Sequence, residues 1–230
     1  IIDLPGTYSI YPKTLDEQIV QDILLDPAHP QYPDKVIVVT DASNLKRNLL
    51  LFTQIRDLGI PLVLVLNMMD VAQLKKLNID LRGLSIDLGV KIIPTNSHSG
   101  DGIAALKEAL SQPLVKSKRP FYDIYDLAPK TITEFDLTEN YRAYQYAQQS
   151  VRLNFLTEDE KERIAKIKDE NGFYDVPTQS QETLGRYQLI SDIVDRNVKN
   201  SRDPLHKSVS QKIDRVVTHP VFGYLIFFTV

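Results

Sequence analysis

The sequence predicts an α/β domain with a doubly wound, mostly parallel sheet, followed by an all-α part. The first observation is a set of apolar runs at residues 35–43, 61–70 and 91–97. Apolar residues in these runs are largely continuous, which is typical of strands buried on both faces of a parallel sheet. The second observation is that helical patterns separate the runs, and the third is a change to polar, helical sequence from about residue 133.

The first elements follow from the opening residues and from one amphipathic segment. Ile1 and Ile2 are interpreted as the end of a buried strand that turns away at the following Asp-Leu-Pro-Gly. Residues 43–59 are predicted to form a helix, with Ser43 as the candidate N-cap and a stop at Gly59. The apolar side of this helix consists of Leu45, Leu49, Phe52 and Ile55.

Two further strands and a helix complete the predicted α/β unit. The run at residues 61–70 is apolar at every position from 62 to 66, and the run at 91–97 is shorter. A helix over residues 101–112 then closes the unit.

The following part of the chain is predicted to be a linker and then helices. Residues 113–130 contain three prolines and are typical of an irregular linker. Residues 158–172 carry charges on most faces, which indicates a solvated helix. The amphipathic helix at 182–200 groups its apolar residues on one side, namely Tyr187, Ile190, Ile193 and Val194.

The final residues, 221–230, contain no charge. A membrane-spanning helix needs ~20 residues, so this stretch is interpreted as the first half of a span. The alternative is a buried C-terminal helix or strand.

Composition narrows the classes of function. The 230-residue chain has a net charge of -3, which argues against a nucleic-acid partner. It has no cysteine, so disulfides, cysteine metal sites and thiol nucleophiles are excluded within these 230 residues. The four histidines are scattered without the spacing of a metal site.

Three short motifs follow predicted strands in the order typical of a guanine nucleotide domain. Asp3-x-x-Gly6 is the pattern with which GTPases sense a γ-phosphate, and Asn67-x-x-Asp70 comes about 64 residues later, after the fully apolar strand. The third motif is a polar loop at residues 94–103. Each motif alone has an ordinary explanation as a turn, a helix cap or a loop, but the ordered set favours nucleotide binding.

The chemistry of guanine explains the second and third motifs. A carboxylate at Asp70 can accept hydrogen bonds from guanine N1 and the exocyclic N2, a donor pair that adenine lacks. Asn67 can brace the neighbouring loop and reach the base, at the carboxyl edge where α/β sheets bind ligands. A backbone N–H group of Asn96 or Ser97 is predicted to contact guanine O6.

The phosphate-binding motif G-x-x-x-x-G-K-[ST] is absent from the sequence. Without it the β-phosphate has no cradle of backbone N–H groups, and Mg²⁺ has no Ser or Thr ligand. We therefore expect the chain to be a fragment that begins after the phosphate loop and first switch, and to be inactive as a GTPase by itself.

Three segments, DLPGTYSIYP, VTDASNLKRNLLLFTQIRDLGIPLVLVLNMMD and KIDRVVTHPVFGYLIFF, resemble the bacterial ferrous iron transporter B (FeoB) family. The resemblance covers essentially the whole chain. It implies a partial Ras-like GTPase domain without its first strands at residues 1–112 and a linker at 113–130. A helical regulatory domain at 131–215 and the start of the first transmembrane helix at 216–230 would follow.

The same resemblance assigns roles residue by residue, and it assigns no catalytic residue. Asp3 and Gly6 match the switch that meets the γ-phosphate and Mg²⁺, with Asp3 holding the metal through water. Asn67 and Asp70 match the guanine-reading motif, and Thr7 stands where Ras-like proteins have a water-orienting glutamine. The rest of the switch is Leu4, Pro5, Thr7, Tyr8 and Ser9, and the last guanine loop is Thr95, Asn96 and Ser97, with Asn96-Ser97 in place of the usual Ser-Ala.

The resemblance thus implies the GTP-binding and regulatory part of a ferrous iron transporter, on the cytoplasmic face of the inner membrane. GTP binding would order residues 3–12, and hydrolysis would release them. The expected ligands are GTP or GDP with Mg²⁺, and the expected partner is the protein's own Fe(II)-transporting membrane domain, with a homo-oligomer left open. Two alternatives remain: a soluble assembly GTPase, and a non-catalytic interaction module that kept the fold.

Overall fold

A computed structural model describes residues 1–200, except residues 115, 118, 136 and 138 and the side chain of Asp126. Residues 1–199 form one compact unit. In this described part, no helix combines the length and the hydropathy that crossing a membrane requires. The predicted start of a transmembrane helix, residues 216–230, lies outside the described residues.

Strands and helices alternate in the first half of the chain, and helices dominate the second. The strands are β1 (Val36–Asp41), β2 (Leu62–Asn67), β3 (Leu77–Ile79), β4 (Ile92–Pro94) and β5 (Val198–Asn200). The helices are α1 (Leu15–Leu25), α2 (Leu45–Asp57), α3 (Met69–Leu74), α4 (Leu81–Leu88), α5 (Ile103–Ser111), α6 (Pro129–Thr133), α7 (Asn140–Gln149), α8 (Glu158–Glu170) and α9 (Asp175–Asn197).

The main sheet is parallel, with β2 between β1 and β4, and β3 pairs with β5 separately. Successive side chains of β2 enter two different apolar clusters, as expected for the two faces of a sheet. Leu64 belongs to the larger cluster, whereas Val63 and Val65 belong to the other. Burial on both faces explains the continuous apolar run, and the predicted parallel sheet is confirmed.

Helix α2 has the predicted core face but a different start. The predicted cap at Ser43 is wrong, because Asn44 occupies the N-cap position without a side-chain hydrogen bond. A 3₁₀ turn precedes the helix, and Asp41 caps that turn by accepting the Ser43 N–H at 2.7 Å. The Ser43 hydroxyl instead accepts a hydrogen bond from Lys75 Nζ. The predicted apolar side is fully confirmed, with burial of Leu45, Leu49, Phe52 and Ile55.

The interpretation of Ile1 and Ile2 as the end of a buried strand is wrong. Both residues are exposed, and no strand in the described part of the chain runs beside them, so their backbone has no ladder to join. The first element is instead α1, whose N-terminus is capped by the Thr14 hydroxyl. This hydroxyl accepts the Glu17 N–H at 3.3 Å.

The sheet part and the helical part share an apolar core. Helix α9 packs against α2, and one cluster of buried residues includes Leu24, Phe52, Tyr144 and Ile190. The predicted domain boundaries at residues 112 and 131 therefore fall within one packed unit, and they stay predictions.

Helix α9 buries a charged face beside its apolar one. Tyr187, predicted to face the core, is 37% exposed. Arg186, one residue earlier, is fully buried, and so is Glu182, one turn before it. Arg186 instead faces the interior, where it pairs with Asp57 of α2. The other residues of the predicted stripe are buried as expected, namely Ile190, Ile193 and Val194.

A buried ionic cluster joins the end of α2 to α9. Asp57 Oδ2 accepts a hydrogen bond from Arg186 Nη1 at 2.8 Å, and Asp57 Oδ1 accepts the Phe121 N–H at 2.6 Å. Arg186 Nε also pairs with Glu182. Arg56 contacts Asp57 at 3.3 Å, so the positive and negative charges of the cluster balance.

Arg142 of α7 ties together the C-terminal ends of two other helices. Its Nη1 donates to the carbonyl oxygens of Leu24 and Leu25, at 3.3 and 2.8 Å, where α1 ends. Its Nη2 donates to the Leu58 carbonyl, just after α2, at 3.2 Å, and to the Tyr32 hydroxyl at 2.8 Å. The last carbonyls of a helix lack intrahelical partners, and a buried cation satisfies them here.

Candidate guanine nucleotide site

The predicted guanine-reading residues lie at the carboxyl edge of the parallel sheet. Asn67 ends β2, and Thr95 follows the last residue of the neighbouring strand β4. The Thr95 N–H donates to the Leu66 carbonyl at 2.8 Å, which holds the two strand ends together. This edge is where α/β proteins bind their ligands.

The Asn67 carboxamide braces the loop after β4. Its Oδ1 accepts hydrogen bonds from the Ser97 N–H at 3.0 Å, from Ser97 Oγ at 2.9 Å and from Thr95 Oγ1 at 3.3 Å. Because the oxygen is used in this way, the Nδ2 donor is the group of Asn67 suited to a base acceptor. The structure therefore brings Asn67, Thr95 and Ser97 together.

Asp70 is exposed in the first turn of α3. Met68, before that helix, has a φ of 61°, a left-handed conformation uncommon outside glycine, which turns the chain sharply between strand and helix. The Met69 N–H donates to the Thr95 carbonyl at 3.4 Å. The start of α3, with Asp70, is thus fixed to the same loop that Asn67 braces.

The loop after β4 closes on itself around Asn96. The Asn96 N–H donates to the Asp101 carbonyl at 3.0 Å, and its Oδ1 accepts the N–H groups of His98 and Ser99 at 3.0 and 3.4 Å. Both N–H groups predicted to contact guanine O6, those of Asn96 and Ser97, already have intramolecular acceptors. Contact with O6 requires a shared hydrogen bond, and it stays a prediction.

The predicted phosphate-sensing segment is exposed at its start and buried at its end. Asp3 and Gly6 are both exposed. The Tyr8 ring lies beneath the Arg47 guanidinium of α2, with 4.1 Å between the guanidinium carbon and the ring centroid. Tyr11, three residues further on, is 8% exposed.

Comparison with known proteins identifies the chain. The family model described as ferrous iron transport protein B matches residues 1–110. The chain is 31% identical to the Fe(2+) transporter FeoB of Leptospira biflexa and 32% identical to that of Salmonella typhimurium. Each of these two matches covers 99% of the chain. The chain belongs to the FeoB family. It spans 35% and 30% of these two relatives, about a third of their length.

Solved FeoB structures share the fold of this chain. The cytosolic domain of L. pneumophila FeoB and the GDP-bound A143S mutant of the S. thermophilus FeoB G-domain are each 29% identical to it. Their TM-scores are 0.64 and 0.65, and the match covers 86% of this chain and 79% and 80% of theirs. The same fold is found in the T. maritima FeoB cytosolic domain in its GMPPNP form, with a TM-score of 0.65 and 22% sequence identity. That match covers 86% of this chain and 79% of the T. maritima chain. The predicted Ras-like G-domain fold is confirmed.

Sequence reasoning missed the residues that hold the segment after Gly6 in this FeoB chain. Gln54 of α2 and Glu182 of α9 form hydrogen bonds with residues 9–11. A signal existed for Gln54, since it is a polar residue within a segment whose neighbours Phe52 and Ile55 face the core. Glu182 gave none, because carboxylates are common on solvated helices.

Proposed function

We propose that this chain is the cytoplasmic, guanine-nucleotide-binding and regulatory part of a ferrous iron transporter of the inner membrane. The observation that carries the proposal is the Asn67 carboxamide, which braces Thr95 and Ser97 at the carboxyl edge of the sheet, next to exposed Asp70. Family membership supports the transport role, since the aligned relatives are named Fe(2+) transporters. GDP-bound and GMPPNP forms among the similar FeoB structures support the choice of ligand.

Each side chain of the site has its own role in this proposal. Asp70 accepts the N1 and N2 hydrogens of guanine, and Asn67 Nδ2 donates to the base. The backbone N–H group of Asn96 or Ser97 donates to O6 in a hydrogen bond shared with its intramolecular acceptor, while Thr95 anchors the loop. Hydrogen bonds to a charged group contribute about 1.5–3 kcal/mol each, so the Asp70 carboxylate decides the base preference.

Asp3 is proposed to hold Mg²⁺ through a water molecule. An exposed carboxylate offers the oxygen ligand that Mg²⁺ prefers, and the ion keeps several waters when it binds. An Mg²⁺ ion held there would supply positive charge to offset that of the nucleotide's phosphates. Thr7 donates its hydroxyl to the Ser9 carbonyl at 2.8 Å and lacks the carboxamide that orients water in Ras-like proteins, so we expect slow intrinsic hydrolysis.

The proposed regulation is an order–disorder change at residues 3–12, which the helical part relays to the membrane domain. The two alternative functions give different results in the same assays. A soluble assembly GTPase would bind GTP without any effect on Fe(II) uptake, and an interaction module would bind no nucleotide. Fe(II) uptake and GTP binding, measured together in the complete transporter, therefore distinguish the three.

In the complete transporter, Asp70→Asn is expected to shift the preference from GTP toward XTP by roughly ten- to hundredfold. The carboxylate accepts the two guanine donors, whereas an asparagine amide can donate to the xanthine carbonyl. Competition of GTP and XTP against a labelled nucleotide measures the shift. The matched control is Asp16→Asn, in the exposed first turn of α1, which should leave the preference unchanged. A wild-type preference in the Asp70→Asn protein would remove Asp70 from the site.

The 230-residue chain by itself is expected to bind GDP with an affinity weaker than about micromolar. Its sequence contains no G-x-x-x-x-G-K-[ST], and most of the nucleotide's binding energy in this fold comes from the phosphate cradle which that loop forms. Titration with fluorescent GDP measures the affinity. Micromolar or tighter binding would show that the guanine loops and Asp3 suffice without the cradle.

A further inference from the structure

The segment at the start of the chain changes character abruptly at Ser9. Up to that residue it is largely exposed, with Gly6 exposed and Tyr8 at 52%. Ile10 and Tyr11 are 2% and 8% exposed. The change takes place across Ser9, between Tyr8 and Ile10, so its cause lies close to Ser9.

Gln54 supplies that cause. Its side chain is fully buried in α2, and its Oε1 accepts the Ile10 N–H at 2.9 Å and Ser9 Oγ at 3.2 Å. The Ser9 hydroxyl also accepts the Tyr11 N–H at 3.2 Å. One buried oxygen therefore fixes two successive backbone N–H groups, one directly and one through Ser9.

Among the described residues, the amide nitrogen of Gln54, unlike its oxygen, makes no hydrogen bond that would explain a buried glutamine here. Within the described part of the chain, Gln54 Nε2 is buried without a hydrogen-bond partner. A buried donor without an acceptor costs stability. The two hydrogen bonds to Ser9 and Ile10 are thus what the carboxamide adds at this position.

The residues after Ile10 are held from the helical part as well. The Tyr11 hydroxyl donates to Glu182 Oε2 at 3.0 Å and accepts from Gln145 Nε2 at 3.2 Å. Burial raises the pKa of Tyr11 well above its ordinary value, so the hydroxyl stays protonated and keeps donating. Arg152 Nη1 donates to the Pro12 carbonyl at 3.2 Å.

The residues before Ser9 have fewer hydrogen bonds to the rest of the protein, although Leu4, which is partly buried, packs against the larger apolar cluster. The Thr7 hydroxyl bonds within the segment, to the Ser9 carbonyl. Tyr8 stacks on Arg47, and both side chains are exposed, so solvent competes for this contact. These residues can rearrange while those after Ser9 stay in place.

We propose that Gln54 is a positioning residue that ends the nucleotide switch. Rearrangement is confined to residues 3–8, and residues 10–12 stay docked in every nucleotide state. The inference rests on the proposed function, because it takes Asp3 as the nucleotide sensor, and it shortens the switch predicted for residues 3–12. The Ser9–Ile10 peptide is then the hinge about which Asp3 moves.

Amide hydrogen exchange on the 230-residue chain, without nucleotide, tests the anchor. We expect protected N–H groups at Ile10 and Tyr11 and rapid exchange at residues 6–8. Gln54→Leu should speed exchange of the Ile10 N–H by about tenfold, as expected for the loss of one hydrogen bond, while β2 keeps its protection. The matched control is Gln21→Leu, which replaces a glutamine that is also buried in a helix but has no hydrogen bond to the segment.

A second substitution keeps the test decisive if Gln54→Leu does not fold. Ser9→Ala removes a partly exposed hydroxyl outside any helix and should speed exchange at Tyr11 while α2 keeps its protection. Unchanged protection of Ile10 in Gln54→Leu, or of Tyr11 in Ser9→Ala, would overturn the anchor.

Nucleotide exchange in the complete transporter tests the extent of the switch. Replacing GDP with a non-hydrolysable GTP analogue should alter amide exchange at residues 3–8 and leave Ile10 and Tyr11 unchanged. An altered rate at Ile10 or Tyr11 would overturn the proposal. Failure of either nucleotide to bind would count against the proposed function instead, and the result with the 230-residue chain would still decide the role of Gln54.

Discussion

Asp57→Ala is expected to lower the free energy of unfolding by about 3–5 kcal/mol, the usual cost of removing one partner of a buried ion pair, because the cluster then has two arginines and Glu182 as its one carboxylate. The substitution removes the carboxylate that Arg186 and Arg56 both contact. It also removes the acceptor of the Phe121 N–H. Arg186 is fully buried, so water cannot replace the lost partner.

Urea denaturation followed by circular dichroism measures this loss in the 230-residue chain. The matched control is Asp195→Ala, because Asp195 pairs with Lys46 at 2.9 Å but its side chain is 65% exposed. Exposed pairs contribute about 0–1 kcal/mol. Asp57→Asn, which keeps an acceptor oxygen but not the charge, should fall between the two. Equal stability of Asp57→Ala and Asp195→Ala would contradict the role assigned to the cluster.

Arg142→Met is expected to lower the free energy of unfolding by about 2–4 kcal/mol, because buried carbonyls would lose their donor. The methionine keeps most of the apolar stem but none of the guanidinium. The carbonyls of Leu24 and Leu58 then have no charged partner where α1 and α2 end. The loss should be greatest for these two helix ends.

Two measurements check the role of Arg142. Urea denaturation gives the overall loss, and amide exchange shows whether the last turns of α1 and α2 open before the sheet does. Arg82→Met, on the exposed side of α4, is the matched control and should change the unfolding free energy by less than about 0.5 kcal/mol. A loss for Arg142→Met no larger than this control would show that the helix ends do not depend on the guanidinium.

The parallel sheet could be predicted because burial on both faces leaves a direct trace in the sequence, as in the apolar run of β2. The buried cluster could not. Glu182 and Arg186 lie four residues apart on a helix, a spacing typical of exposed pairs, and Asp57 on a distant segment is what makes them interior. Helix α1 has a local signal, the Thr14 cap with Glu17 three residues later, whereas the hydrogen bond from Arg142 to its C-terminal end depends on a residue far later in the chain.

The candidate site also has features that could be predicted from the sequence and features that could not. Asn67 and the loop with Thr95 and Ser97 could be brought together from sequence, because neighbouring parallel strands end at one edge. The closure of the Asn96 loop could not, since it depends on a backbone hydrogen bond to Asp101. For Gln54, the neighbouring core residues Phe52 and Ile55 were a signal of burial, but nothing local indicates what its carboxamide contacts.

We expect the ion pair between Asp57 and Arg186 to constrain which chimeras of FeoB proteins are stable. The two residues are 129 positions apart, with the carboxylate in the sheet part and the guanidinium in the helical part. A graft of another protein's helices onto residues 1–112 keeps Asp57 but replaces its counter-charge. Suitable donors are therefore those whose incoming helix carries an arginine at the position of Arg186. With any other donor, Asp57 keeps Arg56 as its charged neighbour but loses the hydrogen bond from Arg186, and we expect the chimera to be less stable.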